Sequence, residues 1–201
     1  MDSIFSEILT LDQEILLFIN NLHFPVGDMI MWRFSEKFFW IPLYVFLLGL
    51  LIKRIGLSRS ILCVLILALM IFATDQLGAS ILRPYISRLR PSSPLNPVSE
   101  VLHFVNDYRG GSFGFPSLHA ANTFALFTYL SCILKSNWIR YPLLIWALLV
   151  SCSRIYLGLH YPTDILAGSI LGMFMGYNFY LIFRFMPDLK FNRILSNISR
   201  E

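Results

Sequence analysis

Charge is scarce in this sequence. Only 14% of its 201 residues are Asp, Glu, Lys or Arg, while 56% are hydrophobic and the mean hydropathy is +0.65. That balance excludes an ordinary soluble domain, which could not leave so much apolar surface in water. Cysteine is nearly absent too. Cys63, Cys132 and Cys152 all fall within apolar stretches, so they read as small core residues and no disulfide framework is expected. No internal repeat, low-complexity tract or second soluble domain stands out, and residues 1–201 read as one membrane-embedded domain. No carboxylate cluster is spaced to hold Mg²⁺. Neither a metal, a cofactor nor a nucleic-acid partner is therefore expected.

What the sequence does hold is a series of long apolar runs, at Phe38 to Ile52, Ser60 to Leu82, Leu118 to Leu134, Ile139 to Leu157 and Thr163 to Phe185. Most approach the ~20 residues that cross a hydrocarbon core, and the first does so if it takes in Phe34 to Lys37. They predict an all-α, polytopic transmembrane helix bundle of five to six membrane helices. Ahead of them, Ile4 to Phe24 mixes Glu7, Asp12 and Glu14 with Ile8, Leu9, Leu11, Ile15, Leu16 and Phe18, which predicts an interfacial amphipathic helix over 1–25. This stretch lacks the basic start and small-residue cleavage site of a signal peptide. The end, 187–201, reads as a short basic cytoplasmic tail near anionic headgroups. Gly168, Gly172 and Gly176 recur every four positions in the last run and favour close packing, either within the bundle or between protomers of a homo-oligomer.

Orientation follows from the basic residues, because cytoplasmic loops collect Lys and Arg. One side of the bundle receives Lys53, Arg54, Arg59, Lys135, Arg140, Arg184, Lys190, Arg193 and Arg200. The other receives Arg33, Lys37, Arg83, Arg88, Arg90, Arg109 and Arg154, of which Arg83, Arg90 and Arg154 belong to polar clusters; nine then face four. This places the C-terminus in the cytoplasm and the clusters outside, as in a bacterial inner-membrane protein facing the periplasm or exterior.

The polar clusters are three, each at the mouth of an apolar run: Arg83 with Arg90-Pro91, Pro116-Ser117-Leu118-His119, and Arg154 with His160 and Asp164. If every run crosses once, all three meet on one face, together with the outer loop 83–116. Chance polar residues would not obey that parity. Three guanidiniums can hold an anion from several sides, two imidazoles can act as nucleophile and acid, and a carboxylate can orient one imidazole. Ser117 reads as the N-cap of a helix whose first amides, at Leu118 and His119, form an anion site. Pro162 suits a first helical turn, which lets Asp164 reach back to His160 and fix its tautomer. Taken singly, such arginines are common snorkelling anchors and such histidines are often satisfied interfacial groups. Their joint spacing is what argues for a site. A hydrophobic setting makes a lipid phosphate the natural ligand.

Arg83-x6-Arg90-Pro91, Pro116-Ser117-x-His119 and Ser153-Arg154-x5-His160-x3-Asp164 resemble the three signature blocks of the phosphatidic acid phosphatase type 2 superfamily, usually Lys-x6-Arg-Pro, Pro-Ser-Gly-His and Ser-Arg-x5-His-x3-Asp. The resemblance implies a metal-independent lipid phosphatase in which His160 attacks phosphorus and forms a phosphohistidine, Asp164 orients it, and His119 serves as acid and then base. Arg83, Arg90, Ser117, the Leu118 amide and Arg154 would bind the phosphoryl oxygens. Undecaprenyl diphosphate, lipid A phosphate, phosphatidylglycerophosphate and phosphatidic acid are the substrates it implies. Two positions depart from the pattern, Arg83 in place of Lys and Leu118 in place of Gly. A phosphotransferase, or a non-catalytic transporter or headgroup-binding protein, would use the same cluster differently. Outside the blocks, Asp75 lies inside the second run and either supports the arginines or bonds to a neighbouring helix. His23 and His103 read as loop or surface residues.

Overall fold

Several helix boundaries fall where the chain carries proline, glycine or a left-handed residue. The computed structural model describes residues 2–187, so the tail expected over 187–201 lies, Pro187 apart, outside the described residues. Among the described residues eight α-helices follow one another: α1 Asp2–Asn20, α2 Pro25–Ser35, α3 Ile41–Ile55, α4 Leu57–Asp75, a short α5 Arg83–Ile86, α6 Leu118–Leu134, α7 Asn137–Tyr156 and α8 Pro162–Phe185. Prolines open α2 and α8. Gly56, at φ +78°, separates α3 from α4. Among the described residues strand pairing is limited to one bridge, between Leu89 and Phe113.

Among the described residues four helical stretches are long and apolar enough to cross a membrane, Lys37–Ile55, Leu57–Ile86, Asn137–Tyr156 and Pro162–Phe185, and the bent pair Ser6–Asn20 with Pro25–Ser35 is a fifth candidate if it counts as one span. The third expected span, α6, has 17 residues, about 25 Å at 1.5 Å per residue. It is the most enclosed helix, packed chiefly on α8 and also on α7 and α4. The protein is thus an integral-membrane helix bundle. α1 and α2 meet at 118°. Asp12 of α1 reaches the start of α8 at Thr163 and Asn20 reaches the end of α7 at Tyr156, so α1 stretches over the ends of those helices that adjoin the 157–161 turn. At the opposite end, Arg59 donates to the Phe183 and Met186 carbonyls that finish α8, satisfying orphan acceptors with a cation where the helix dipole favours one.

α6 and α8 touch through backbone. A Cβ on Gly168, Gly172 or Gly176 would collide with the carbonyl oxygens of Ser117, Ala121 or Ala125 on α6. The small-residue stripe is therefore spent inside the bundle, and the choice left open between internal packing and association of protomers falls to the first. This close approach ties the start of α6, where Ser117 and His119 stand, to the start of α8, where His160 and Asp164 stand.

The end of α4 loosens into a π-helical stretch, Gln76–Leu82, before α5. Gly78 lies in it, and a Cβ there would overlap Cδ2 of Leu118. The side chain that departs from the expected glycine thus has its own niche, opposite another glycine.

Two outcomes follow for unfolding measured in detergent. Gly172→Ala should cost about 1–3 kcal/mol, because the obstacle is backbone that cannot repack, whereas Gly49→Ala in α3, with open space around it, should leave the midpoint unchanged. Gly78→Ala should destabilise the protein, and adding Leu118→Ala should restore most of the loss.

Candidate functional site

The loop between α5 and α6, residues 87–117, is folded onto the helix ends by backbone bonds. Arg90 N donates to Ser112 O at 2.9 Å and Gly114 N to Arg88 O at 3.0 Å, flanking the Leu89–Phe113 bridge. The Arg90 Nε donates to Phe113 O at 3.0 Å, and Asn96 ties the Arg90 carbonyl to the Tyr161 hydroxyl. Gly114 permits this layout, since a Cβ there would stand 3.0 Å from Arg90 Cγ and 3.1 Å from Asp164 Oδ2. On the other side, Gly158 at φ +70° turns the chain from α7 toward His160.

The three clusters converge. Arg83, Arg90, Leu118, His119 and Arg154 line one cavity of about 770 Å³. Ser117 N donates to Asp164 O at 3.0 Å, and Arg83 Nη2 lies 3.4 Å from Pro116 O, joining the second cluster to the third and to the first. His160 and Asp164 are both fully buried, with Nδ1 of the imidazole 3.3 Å from Oδ2 of the carboxylate. The same Oδ2 accepts the Tyr161 amide at 3.0 Å. Ser117 is the residue preceding α6, and its hydroxyl makes no capping bond. Its Oγ, Arg83 Nε, Arg154 Nε and His160 Nε2 are all buried polar atoms without a protein partner. Buried polar groups are rarely left so. Four of them, on residues of all three clusters, mark a place built for a polar ligand that accepts from the serine and the two guanidiniums and meets the ring nitrogen of His160.

Charge in the site is one-sided. The Arg90 guanidinium is pushed down to about 10 by burial and by Arg83 beside it. The His160 imidazole is held well below its ordinary range, first by burial and then by Arg90, Arg154 and Arg83. A neutral ring whose Nδ1 faces a carboxylate keeps its proton there and leaves a lone pair on Nε2. Clustered cations cost free energy until an anion arrives, so the arrangement favours a phosphate-like dianion.

Away from the polar mouth the cavity is apolar, running past Trp40, Leu47, Ile71, Leu126 and Trp146 to Leu51, Val64 and Leu130. Its depth suits a hydrocarbon chain. Asp75 lies on this wall, and its Oδ1 accepts from Asn122 Nδ2 of α6 at 2.9 Å, the neighbouring-helix bond that was one of its two readings. His103 lies elsewhere, 2.9 Å from Asp28 and stacked on His23 with ring centroids 4.0 Å apart. The three cysteines are free.

Sequence reasoning passed over several residues that the structure brings to the site. Ser35 bonds Arg154 Nη1, Tyr108 stands beside Arg154, and Lys37 lines the mouth. Arg88 bonds Asp164 Oδ1 at 2.9 Å and also Asp12 of α1. Arg88 could have been found by its place inside the Arg83-x6-Arg90 block, whereas Asp12 is one of several acids in an amphipathic helix and carries no such signal.

Residues 61–188 match the model of the PAP2 superfamily. The chain is similar to a lipid A 4'-phosphatase of Bacteroides thetaiotaomicron, 44% identical over 172 residues that cover 86% of this chain and 76% of that protein. It is also similar to a lipid A 4'-phosphatase of Porphyromonas gingivalis, 30% identical over 88% of this chain and 74% of the other. Among solved structures, a transmembrane PAP2-type phosphatidylglycerolphosphate phosphatase from Bacillus subtilis superposes with a TM-score of 0.67 at 21% identity, covering 90% of this chain and 88% of that one. With its signature residues gathered at one mouth of a helix bundle, this chain belongs to the PAP2 superfamily as an integral-membrane member.

Proposed function

We propose that the protein is a metal-independent lipid phosphatase that removes a phosphate monoester from lipid A through a phosphohistidine on His160. The observation that carries the reading is the His160 ring, fully buried, with Nδ1 at Asp164, Nε2 unpartnered, and Arg90, Arg154 and Arg83 close enough to act on its charge. The Nε2 lone pair attacks phosphorus, the phosphorus–oxygen ester bond breaks, and His119 gives its proton to the departing sugar oxygen. A dianionic phosphoryl group beside it supplies the negative charge that lets His119 carry that proton. His119 then takes a proton from water, whose oxygen attacks phosphorus and breaks the phosphorus–nitrogen bond. Arg83, Arg90, Arg154, the Ser117 hydroxyl and the Leu118 amide hold the equatorial oxygens through both steps, where charge is spread over them. Asp75 supports this wall of the cavity through Asn122.

The lipid A reading is supported by relatives bearing that activity in their names, the nearer of the two at 44% identity over most of the chain. The apolar shaft below the cations suits its acyl chains. The site faces the periplasm of a bacterial inner membrane, since Lys53, Arg54, Lys135 and Arg140 collect at the opposite ends of the helices.

Phosphate release from 4'-phosphorylated lipid A in detergent tests this directly, beside phosphatidic acid, phosphatidylglycerophosphate and undecaprenyl diphosphate. Lipid A should be turned over fastest and EDTA should change nothing. His160→Ala and His119→Ala should each lose at least about a hundredfold in rate; a transporter would release no phosphate at all, and a phosphotransferase would label an added alcohol in place of water. The pH profile has a definite sign. Because burial and arginines depress His160, its nucleophilic neutral form persists below pH 6.5. The acidic limb of kcat/KM, corrected for ionisation of the substrate phosphate, should therefore fall below that value.

A further inference from the structure

The N-terminal helix carries a buried carboxylate that is tied to Asp164 through Arg88. Asp12 is 2% exposed, although it belongs to a helix lying over the bundle, and each of its oxygens is used. Oδ1 accepts the Thr163 amide at 2.8 Å. Oδ2 accepts the Thr163 hydroxyl and, at 2.5 Å, Arg88 Nη2. The other arm of that guanidinium, Nη1, donates to Asp164 Oδ1 at 2.9 Å and to Thr163 Oγ1 at 2.5 Å. The guanidinium plane is backed by the Tyr161 ring, 4.2 Å from its centroid. Asp164 then spends Oδ2 on the Tyr161 amide and on His160 Nδ1. The result is an unbroken line, Asp12 to Arg88 to Asp164 to His160.

Arginine is the side chain suited to the middle of such a line. Its planar fork bonds two carboxylates at once in fixed relative orientation, which an ammonium on a flexible stem does not. Asp164 could satisfy Oδ2 in more than one rotamer, and the bond to Oδ1 selects the one that also reaches His160. Arg88 in turn has a long chain that costs entropy to fix, and Asp12 is what holds its second arm. Asp12 touches neither His160 nor the cavity.

We propose that Asp12 and Arg88 are positioning residues for the nucleophile: they lock the Asp164 carboxylate so that His160 presents Nε2 to the phosphate, which makes α1 part of the reactive centre. This rests on His160 being the nucleophile. The tie affects the chemical step and leaves the arginine cradle alone, so its loss reads in kcat while phosphate affinity stays.

The test uses the full-length protein in detergent, with 4'-phosphorylated lipid A as substrate, inorganic phosphate as competitive inhibitor and thermal unfolding to report the folded fraction. Asp12→Asn should lower kcat per folded molecule ten- to a hundredfold while KM and the phosphate inhibition constant stay within twofold. Asp12→Glu should recover part of that loss. Asp12→Asn combined with Asp164→Asn should be no slower than Asp164→Asn alone, because both act through one imidazole. Wild-type kcat in Asp12→Asn, losses that multiply in the double variant, or a loss confined to KM would overturn the proposal. If Asp12→Asn does not fold, Arg88→Lys is read by the same measures; if neither folds, the tie is a structural tether and the proposal is wrong. Should His160→Ala keep its activity, it is the nucleophile assignment that has failed.

Discussion

A carboxylate with no exposure to solvent, Asp164, is the constraint on which the rest of this molecule depends. Placing that charge inside an apolar bundle is expensive unless every oxygen is satisfied. The chain meets the cost with one guanidinium, one backbone amide and one imidazole, drawn from the loop between α5 and α6 and from the turn that opens α8. Each donor restricts where its own segment can lie. The loop must bring Arg88 across, Gly114 must have no side chain, and Pro162 must start the helix where it does.

The contact between α6 and α8 serves the same end from below. Inside a bilayer no hydrophobic drive brings helices together, so close packing of small residues has to supply the attraction. Three glycines of α8 against backbone of α6 bring the two helix starts near enough for the Ser117 amide to bond the Asp164 carbonyl. Fold stability and site geometry are then one problem, since a shift of either helix would separate His119 from His160.

Much of this was legible in the chain. Apolar runs located the long helices, and parity placed Arg83, Arg90, Ser117, His119, Arg154, His160 and Asp164 at one end of the bundle, where they indeed meet. Pro162 and the i to i+4 spacing of His160 and Asp164 made their contact readable because both are local. The rest depended on contacts distant in sequence. Nothing in α1 says that Asp12 will be buried against residue 163, more than a hundred positions away, for its amphipathic pattern also fits a helix resting on headgroups. Leu118 was visible as a departure from a pattern, but its niche was not, because the niche is an absent side chain in a π-helical stretch. The glycine stripe was legible as a packing face, and only the structure says against what.

The fit of Leu118 over Gly78 has a historical consequence. A side chain and the hollow that receives it cannot drift separately: a larger residue at 78 would meet Leu118, and a smaller one at 118 would open a void beside the phosphate cradle. Related chains that carry glycine at the position of Leu118 are released from that bond and free to vary where this chain has Gly78. The two positions should therefore change in step across descendants, and the order of those changes would record when this lineage first reshaped the wall of its site.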